Sequence, residues 1–177
     1  MKFRSIALVA AMLIGATMLT ACTPSSGKDP GTHVSQESAF SSADIMFAQM
    51  MIPHHQQAVD MGTLAETRAS NLAVKTLAAR IKSEQTPEIA KMKGWLDIAG
   101  AGMSISDFEF TTLKSASGTS FDKLYLVAMI GHHEGAIVMA ESVLNSKNSE
   151  VRALAEAIIT SQTEQITYMK ELLKSLG

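Results

Sequence analysis

The chain contains two halves that repeat the same pattern of residues, and this repetition constrains its fold more than any other feature. The stretch MIPHHQQAVDM at 51–61 returns as MIGHHEGAIVM at 129–139, an offset of 78 residues. After the next loop the offset becomes 77, and identical residues continue to match. The matched pairs there are Asn71 and Asn148, Val74 and Val151, Leu77 and Leu154, Ile81 and Ile158, Gln85 and Gln162, Ile89 and Ile166, and Met92 and Met169. The duplication predicts two homologous hairpins that bury their apolar faces against each other.

Apolar residues recur at intervals of three and four within each half, which is the spacing of a buried helix face. In the first segment this face contains Phe47, Met51, His54, Ala58, Met61 and Ala65. His54 is thus predicted to lie on the buried face and His55 beside it. The same spacing predicts helices at about 42–66, 72–98, 121–145 and 150–173. Alanine, leucine and methionine are prominent among the apolar residues, which favours helix over strand.

These segments predict an all-α protein whose domain, at 41–177, is a four-helix bundle with pseudo-repeats 42–98 and 120–175. Roughly 20 residues separate the second helix from the third, whereas neighbouring antiparallel helices need only about 2–8. A helix of about 25 residues is about 37 Å long, and about 20 extended residues span about 60 Å. The connection is therefore long enough to cross the whole bundle, which favours a ferritin-like arrangement.

The N-terminal residues have the pattern of a bacterial lipoprotein signal. Basic residues precede an apolar run that is too short for a comfortable transmembrane span, and LTAC at 19–22 resembles a lipobox. We expect residues 1–21 to be a signal peptide, Cys22 to be lipidated, and residues 22–40 to form a flexible tether of small and polar residues. The alternative is an ordinary signal peptide followed by an unmodified cysteine.

The lipidation pattern predicts a location in the cell envelope, outside the cytoplasm, with the chain anchored to a membrane by its N-terminal lipid. Cys22 is the only cysteine, so no disulfide can form within the chain. The formal net charge is −2 and no basic patch stands out, which gives no support to nucleic-acid binding.

Each repeat contains two adjacent histidines with a methionine at a fixed distance before them. Met51 lies three residues before His54 and four before His55, and both intervals allow side-chain contact on a helix. The second repeat has Met129, His132 and His133 at the same intervals. Each half can therefore present one thioether and two imidazoles. The sequence leaves open whether the halves share one site or form two.

The residue before each histidine pair weakens the helix. Pro53 cannot donate a helical hydrogen bond, and Gly131 at the equivalent position costs about 1 kcal/mol relative to alanine. A kink at this point would aim both imidazoles of a pair at one place. The alternative is that Pro53 begins a new helix.

Two equivalent glutamines, Gln85 and Gln162, are predicted at the level of the histidines on otherwise apolar helix faces. A buried amide needs hydrogen-bond partners. We expect both glutamines to hydrogen-bond the imidazoles and so to orient them. The alternative is that they lie at the edge of the face and reach water.

The donor atoms favour a soft metal ion. Imidazole suits Zn, Cu, Fe and Ni, but a thioether narrows the choice to soft ions, above all Cu(I), and Ag(I) follows the same logic. A ferritin-like di-iron site would need Glu-x-x-His, and a zinc hydrolase would need His-Glu-x-x-His; neither motif occurs. Met46 and Met50, one turn apart, are candidates for an auxiliary soft site near Met92. Core packing is the interpretation for Met61, Met92, Met139 and Met169.

The stretches MFAQMMIPHHQQAVDM, IKSEQTPEIAKMKGWL and MIGHHEGAIVMAE together resemble the bacterial family called domain of unknown function 305. The resemblance covers about residues 42–177. It implies a ferritin-like fold, export, and, as in CopM-like members, binding of copper and silver ions in copper resistance. Carried over residue by residue, it implies ligands among Met51, His54, His55, Met129, His132 and His133. The methionine-rich tails of some members are missing, which bears on metal capacity rather than on the central site.

We therefore predict a membrane-anchored, extracytoplasmic protein that binds Cu(I) within the bundle to buffer, sequester or hand on the ion, without catalysis. Its expected partners are the metal ion and the membrane, and the sequence does not identify a protein partner. Two alternatives stay open. One is a metal-independent structural or interaction lipoprotein whose polar core residues only fix helix register. The other is a redox or hydrolytic enzyme that uses the same histidines.

Overall fold

The computed structural model describes residues 39–103 and 110–177, and the regular structure within these ranges is entirely helical. The helices are α1 (Ser42–Arg68), α2 (Leu72–Ala99), α3 (Thr111–Ser115), α4 (Gly118–Glu141) and α5 (Ser149–Ser175). None of them is both long and apolar enough to cross a membrane. The predicted signal peptide, Cys22 and most of the predicted tether lie outside the described residues.

The four long helices confirm the predicted all-α bundle of two hairpins. The one-turn helix α3, which the periodicity did not indicate, lies in the connection between α2 and α4. Packing also begins slightly before the predicted domain start. The ring of Phe40 lies against that of Trp95, with centroids 5.8 Å apart, so the last residue of the predicted tether is part of the core.

Equivalent residues begin equivalent helices. Ser41 and Asp44 form a capping box at the start of α1, with Asp44 N donating to Ser41 Oγ (3.2 Å) and Ser41 N donating to Asp44 Oδ2 (2.8 Å). Asn71 and its repeat equivalent Asn148 cap α2 and α5 through their side-chain oxygens. These caps satisfy backbone N–H groups that a helix leaves without partners, which explains why both second helices begin at the same repeat position.

The apolar core divides into two clusters at opposite ends of the bundle. The first cluster includes Phe47, Met51, Met92, Ala140 and Leu154. The second cluster includes Met61, Leu77, Tyr125, Met129 and Met169. Helices α1 and α5 begin in the first cluster and end in the second, whereas α2 and α4 run the other way. Because α2 and α4 are parallel, the connection between them must traverse the length of the bundle, as the ferritin-like arrangement requires.

Between the two clusters lies a polar layer, which we define as the buried side chains His55, Gln85, His133, Gln162 and Gln165. All four long helices contribute to it. Buried polar groups reduce stability unless they are hydrogen-bonded. A polar layer across the middle of an apolar bundle therefore points to a function other than packing.

Each hairpin also contacts the other through an aspartate. Oδ2 of Asp122, at the start of α4, accepts hydrogen bonds from the hydroxyl of Ser70 (2.6 Å) and from the N–H of Asn71 (3.0 Å), in the loop between α1 and α2. Its equivalent Asp44 lies near Ser146, in the loop between α4 and α5. Burial acts to raise the pKa of Asp44, but the neighbouring polar groups of Ser146 and Ser41 outweigh it, and the pKa lies below its usual value. The start of α1 and the start of α4 thus each lie next to the loop of the other hairpin.

Candidate metal centre

The two histidines of each pair have different environments. His55 and His133 are fully enclosed, with 0% of their surface exposed, whereas His54 and His132 are half-buried. The prediction that His54 lies on the buried face of α1 is wrong, because that face passes from Met51 to His55, four residues on. Intervals of three and four fit a helix in either order. The packing of α1 against both α2 and α4 selects the order that encloses His55.

The four histidines form one cluster where α1 crosses α4. The rings of His54 and His132 stack, with centroids 3.6 Å apart and planes at 29°. The centroids of His132 and His133 are 6.1 Å apart. Helix α1 is continuous through Pro53, so this residue does not begin a new helix. The stack joins equivalent residues, and it therefore marks the point where the two halves of the protein face each other.

The two methionines of the motif lie on opposite sides of the polar layer. Met51 and Met129 are fully buried, each one turn before the enclosed histidine of its own helix. Because α1 and α4 are antiparallel, Met51 belongs to the first apolar cluster and Met129 to the second. The structure thus brings all six predicted residues to mid-bundle, with the histidines central and one thioether on each side.

The remaining methionines separate into core and surface. As predicted, Met61, Met92 and Met169 are core residues, and Met139 is partly buried against the first cluster. Met46 and Met50 are exposed, whereas Met92 is enclosed. The predicted auxiliary site that combined them with Met92 is therefore wrong, because the first two face solvent and the third faces the core.

The prediction that Gln85 and Gln162 hydrogen-bond the imidazoles is also wrong. Both amides are buried in the polar layer. Within the described part of the chain, neither polar atom of the Gln85 side chain has a hydrogen-bond partner, and neither does Oε1 of Gln162. The expected bonds assumed that His54 and His132 point inward. The histidines that point inward, His55 and His133, are one position later in the sequence. Their hydrogen-bond partners therefore lie further along α2 and α5.

The partners of the enclosed histidines are Glu88 and Gln165. Nε2 of His55 lies 2.8 Å from Oε2 of Glu88, and Nε2 of His133 lies 2.6 Å from Oε1 of Gln165. These two partners are equivalent at the offset of 77, and each lies one turn after a glutamine of the polar layer. The sequence signal that would have found them is this recurrence of a long polar side chain at matching positions.

The hydrogen bonds of Gln165 and Glu88 indicate which ring nitrogen of each enclosed histidine carries a proton. Nε2 of Gln165 donates to the Glu84 carboxylate (2.5 Å), so its Oε1 faces His133 and can only accept. The Glu88 carboxylate likewise accepts from His55. Nε2 of each enclosed histidine therefore carries a proton, which leaves Nδ1 as the ring nitrogen that can bind a ligand. Neither Nδ1 has a hydrogen-bond partner among the described residues.

Burial keeps His54, His132 and His133 neutral near pH 7. Together with the repulsion that a charged neighbouring imidazole would add, burial lowers the pKa of His54 to about 4 and that of His132 to about 2. Burial lowers the pKa of His133 to about 4, against the opposing effect of its hydrogen bond to Gln165. Neutral imidazole is the form that binds metal ions, so these nitrogens are available as ligands near pH 7.

The donor set suits a soft ion of low coordination number. In residues 39–103 and 110–177, no group of three or more His, Cys, Asp or Glu side chains is arranged to hold a metal ion by those side chains alone. Nitrogen lone pairs without partners and two thioethers are instead grouped at mid-bundle. This combination fits Cu(I) and Ag(I). An imidazole whose second nitrogen donates to a carboxylate or amide oxygen is the usual arrangement of a metal-binding histidine.

A family model described as domain of unknown function (DUF305) matches two segments of the chain, residues 44–107 and 97–173. Among solved structures, a DUF305 protein from Streptomyces coelicolor, described as a proposed secreted protein, is 29% identical with a TM-score of 0.72. That match covers 77% of this chain and 94% of the other. A DUF305 fragment from Deinococcus radiodurans is 26% identical over 77% of this chain and 98% of the other, with a TM-score of 0.70.

The structure of CopM in its Cu(I)-bound form is 33% identical over 75% of this chain and 96% of the other, with a TM-score of 0.69. CopM also matches in Cu(II)-bound and silver-bound forms. Among curated protein sequences, no match was found. The matched relatives thus share the fold over nearly their whole length, and one of them has been solved with soft metal ions bound.

Proposed function

The chain belongs to the DUF305 family, and on this premise we propose that it binds copper as Cu(I), and also silver, at the centre of its four-helix bundle. The observation that carries the proposal is the pair of enclosed imidazoles, His55 and His133, whose Nδ1 lone pairs have no partner in the described residues. A buried acceptor left without a partner costs about 1–3 kcal/mol, and a bound cation would remove that cost. The metal-bound forms of CopM support the same class of ligand.

In this proposal each residue has a distinct role. Nδ1 of His55 and Nδ1 of His133 bind the ion, and the thioethers of Met51 and Met129 favour soft ions over zinc. Glu88 and Gln165 hold the two imidazoles through Nε2, so that Nδ1 of each ring faces away from the side chain that holds it. Because His54, His132 and His133 are neutral near pH 7, binding at these imidazoles does not have to displace a proton. The stacked rings of His54 and His132 close the cluster and offer further nitrogen atoms.

We further propose that the protein buffers or sequesters the ion outside the cytoplasm and is held at a membrane through lipidated Cys22. The lipobox at 19–22 supports the anchor, and the proposed secretion of the Streptomyces relative supports the location. Binding rather than catalysis is the proposed role, because the enclosed histidines leave little room for a substrate beside the ion.

The test is a Cu(I) titration under reducing conditions against a competing Cu(I) chelator. A variant with His54, His55, His132 and His133 changed to alanine is expected to lose the tightly bound copper of the wild type. Gln85→Leu is the matched control, because it removes a polar-layer side chain that makes no hydrogen bond to an imidazole among the described residues, and it should bind copper normally. Circular dichroism confirms that each variant is folded.

Equal copper in the wild type and the histidine variant would overturn the proposal. A wild-type protein that binds no copper would favour the metal-independent structural lipoprotein. Turnover of an oxidisable substrate by the copper-loaded protein, lost in the histidine variant, would favour the redox enzyme.

A further inference from the structure

Three methionines of the described residues are exposed, against the usual use of this residue as core filler. Met46, Met50 and Met103 have 57%, 50% and 59% of their surface exposed. The other described methionines are buried or half-buried. Three exposed thioethers in a chain that otherwise encloses its methionines need a reason other than packing.

The three exposed methionines lie at one corner of the bundle. Met46 and Met50 are one turn apart on α1, so their side chains are neighbours. Gln49 lies between them in sequence, and its Nε2 donates to the carbonyl oxygen of Gly102 at 2.7 Å. This hydrogen bond brings the chain after α2 against the same turn of α1. Met103 directly follows Gly102, so its backbone lies near this turn of α1.

This corner is connected to the histidine cluster along one helix face. Met46, Met50 and His54 follow each other at intervals of four on α1, from exposed to half-buried. His54 in turn stacks on His132 at the centre. The face thus runs from solvent to the candidate metal centre.

The second repeat shows that the fold does not require these sulfur atoms. At the offset of 78, Met46 corresponds to Leu124 and Met50 to Ala128, and both of those residues are exposed as well. An exposed leucine and alanine serve the same helical positions in α4. The thioethers of the first repeat are therefore an addition specific to one side of the molecule.

We propose that Met46, Met50 and Met103 form a solvent-facing site for a soft monovalent cation, Cu(I) or Ag(I). This site captures the ion and passes it through His54 to the candidate metal centre. The delivery step rests on the proposed function, whereas the surface site does not depend on it. Thioethers are neutral soft donors that select such ions over zinc or magnesium. Transfer is ligand exchange alone, with no change of oxidation state and no covalent bond broken.

The test uses Ag(I) as the probe and protein labelled with carbon-13 at the methionine methyl groups, observed by NMR. In the wild type, the methyl signals of Met46, Met50 and Met103 are expected to shift together and first in time after silver is added. The signals of Met51 and Met129 should shift later in time, as the ion passes to the centre. Equilibrium dialysis of the same samples gives the number of ions bound per chain.

The variant is Met46→Leu with Met50→Leu, which keeps the apolar size and copies the leucine found at position 124. This variant is expected to bind one silver ion fewer than the wild type and to show no shift of the Met103 signal. The signals of Met51 and Met129 are expected to shift several-fold more slowly. Leu124→Met with Ala128→Met is the matched control. It places a pair of thioethers on α4 without a third sulfur. The order in which the methionine methyl signals shift should not change.

Unshifted signals of Met46, Met50 and Met103 at silver levels that saturate Met51 and Met129 would overturn the surface site and leave the proposed function intact. The reverse result, with surface shifts but no response at Met51 and Met129, would overturn the delivery step and the central site. Unchanged loading rates in the double-leucine variant would overturn delivery alone.

Discussion

Glu88 and Gln165 hold equivalent positions, but one offers a carboxylate to its histidine and the other an amide oxygen. A carboxylate partner raises the basicity of an imidazole ligand more than a neutral oxygen does. In the proposed copper site the two enclosed histidines therefore have unequal partners, one charged and one neutral. The repeat has kept the position of the partner and changed its charge.

Replacing Glu88 by glutamine makes the first half resemble the second. We expect Glu88→Gln to weaken Cu(I) binding by about tenfold, because it removes the charge next to the ligand, although glutamine still offers an oxygen that can hold the ring, as Gln165 does. Competition with a Cu(I) chelator measures it. Glu66→Gln, an exposed carboxylate on α1, is the control and should have no effect. An affinity equal to that of the wild type would contradict the role given to Glu88.

Tyr125 is a second residue that differs between the two repeats. It is fully buried in the second apolar cluster, and its hydroxyl has no hydrogen-bond partner in the described chain. The equivalent residue in the first repeat is Phe47, which fills the same position without a polar atom. The hydroxyl therefore carries a desolvation cost that the phenyl ring avoids.

Tyr125→Phe is expected to raise the free energy of unfolding by about 1 kcal/mol, because it removes an unpartnered buried hydroxyl without changing the ring. Urea denaturation followed by circular dichroism measures the change. Tyr168→Phe, at an exposed position on α5, serves as the control and should leave stability as it was. A loss of stability at position 125 would show that the hydroxyl has a partner after all.

At the scale of elements, the bounds of α1, α2 and α5 follow from spacing and side-chain caps. Helix α4 (Gly118–Glu141) has no side-chain cap and begins and ends a few residues before its predicted bounds of 121–145, and the spacing did not indicate α3. Helix α3 is a single turn without a side-chain cap. It is held by burial of Leu113 and by a hydrogen bond from Arg68 at the end of α1 to the carbonyl oxygen of Ala116 (3.1 Å). One turn has too few residues to show a periodicity, and these contacts come from distant parts of the chain.

The contact of Asp122 with the loop between α1 and α2 joins the two hairpins at their ends. Asp122→Ala is expected to lower the free energy of unfolding by about 3 kcal/mol, because it leaves the buried N–H of Asn71 without its charged acceptor. Thermal and urea unfolding give the magnitude. Asp60→Ala removes an exposed carboxylate of α1 and should cost little. Similar small losses in both variants would show that the hairpins do not depend on this contact.

For the whole molecule, the neutral histidine cluster makes stability depend on pH in one direction. The pKa of His54 and that of His133 are about 4 when folded, against a usual value of 6.5. Above pH 6.5 both the folded and unfolded chains hold these side chains neutral. As the pH falls below 6.5, the unfolded chain takes up protons first, and the folded state loses about 1 kcal/mol per pH unit for each such histidine.

Urea unfolding at a series of pH values between 7.5 and 4.5 is therefore expected to show constant stability down to about pH 6.5 and a steady decline below it. The lowered pKa of Asp44 acts only below its usual value of 3.8, outside this window. His54→Gln should flatten the decline relative to the wild type. A stability that does not change between pH 6.5 and 4.5 would contradict the enclosed, neutral state of the cluster.

The sequence by itself determined the duplicated four-helix bundle, the crossover connection, and the meeting of Met51, Met129 and both histidine pairs at mid-bundle. These features follow from spacing along single helices and from equivalence between the two halves. Only the tertiary structure decided that His55 and His133 are the enclosed members, that Glu88 and Gln165 hold them, and which methionines face solvent. Two adjacent residues fit the buried face of an isolated helix almost equally well, and the packing of neighbouring helices selects between them.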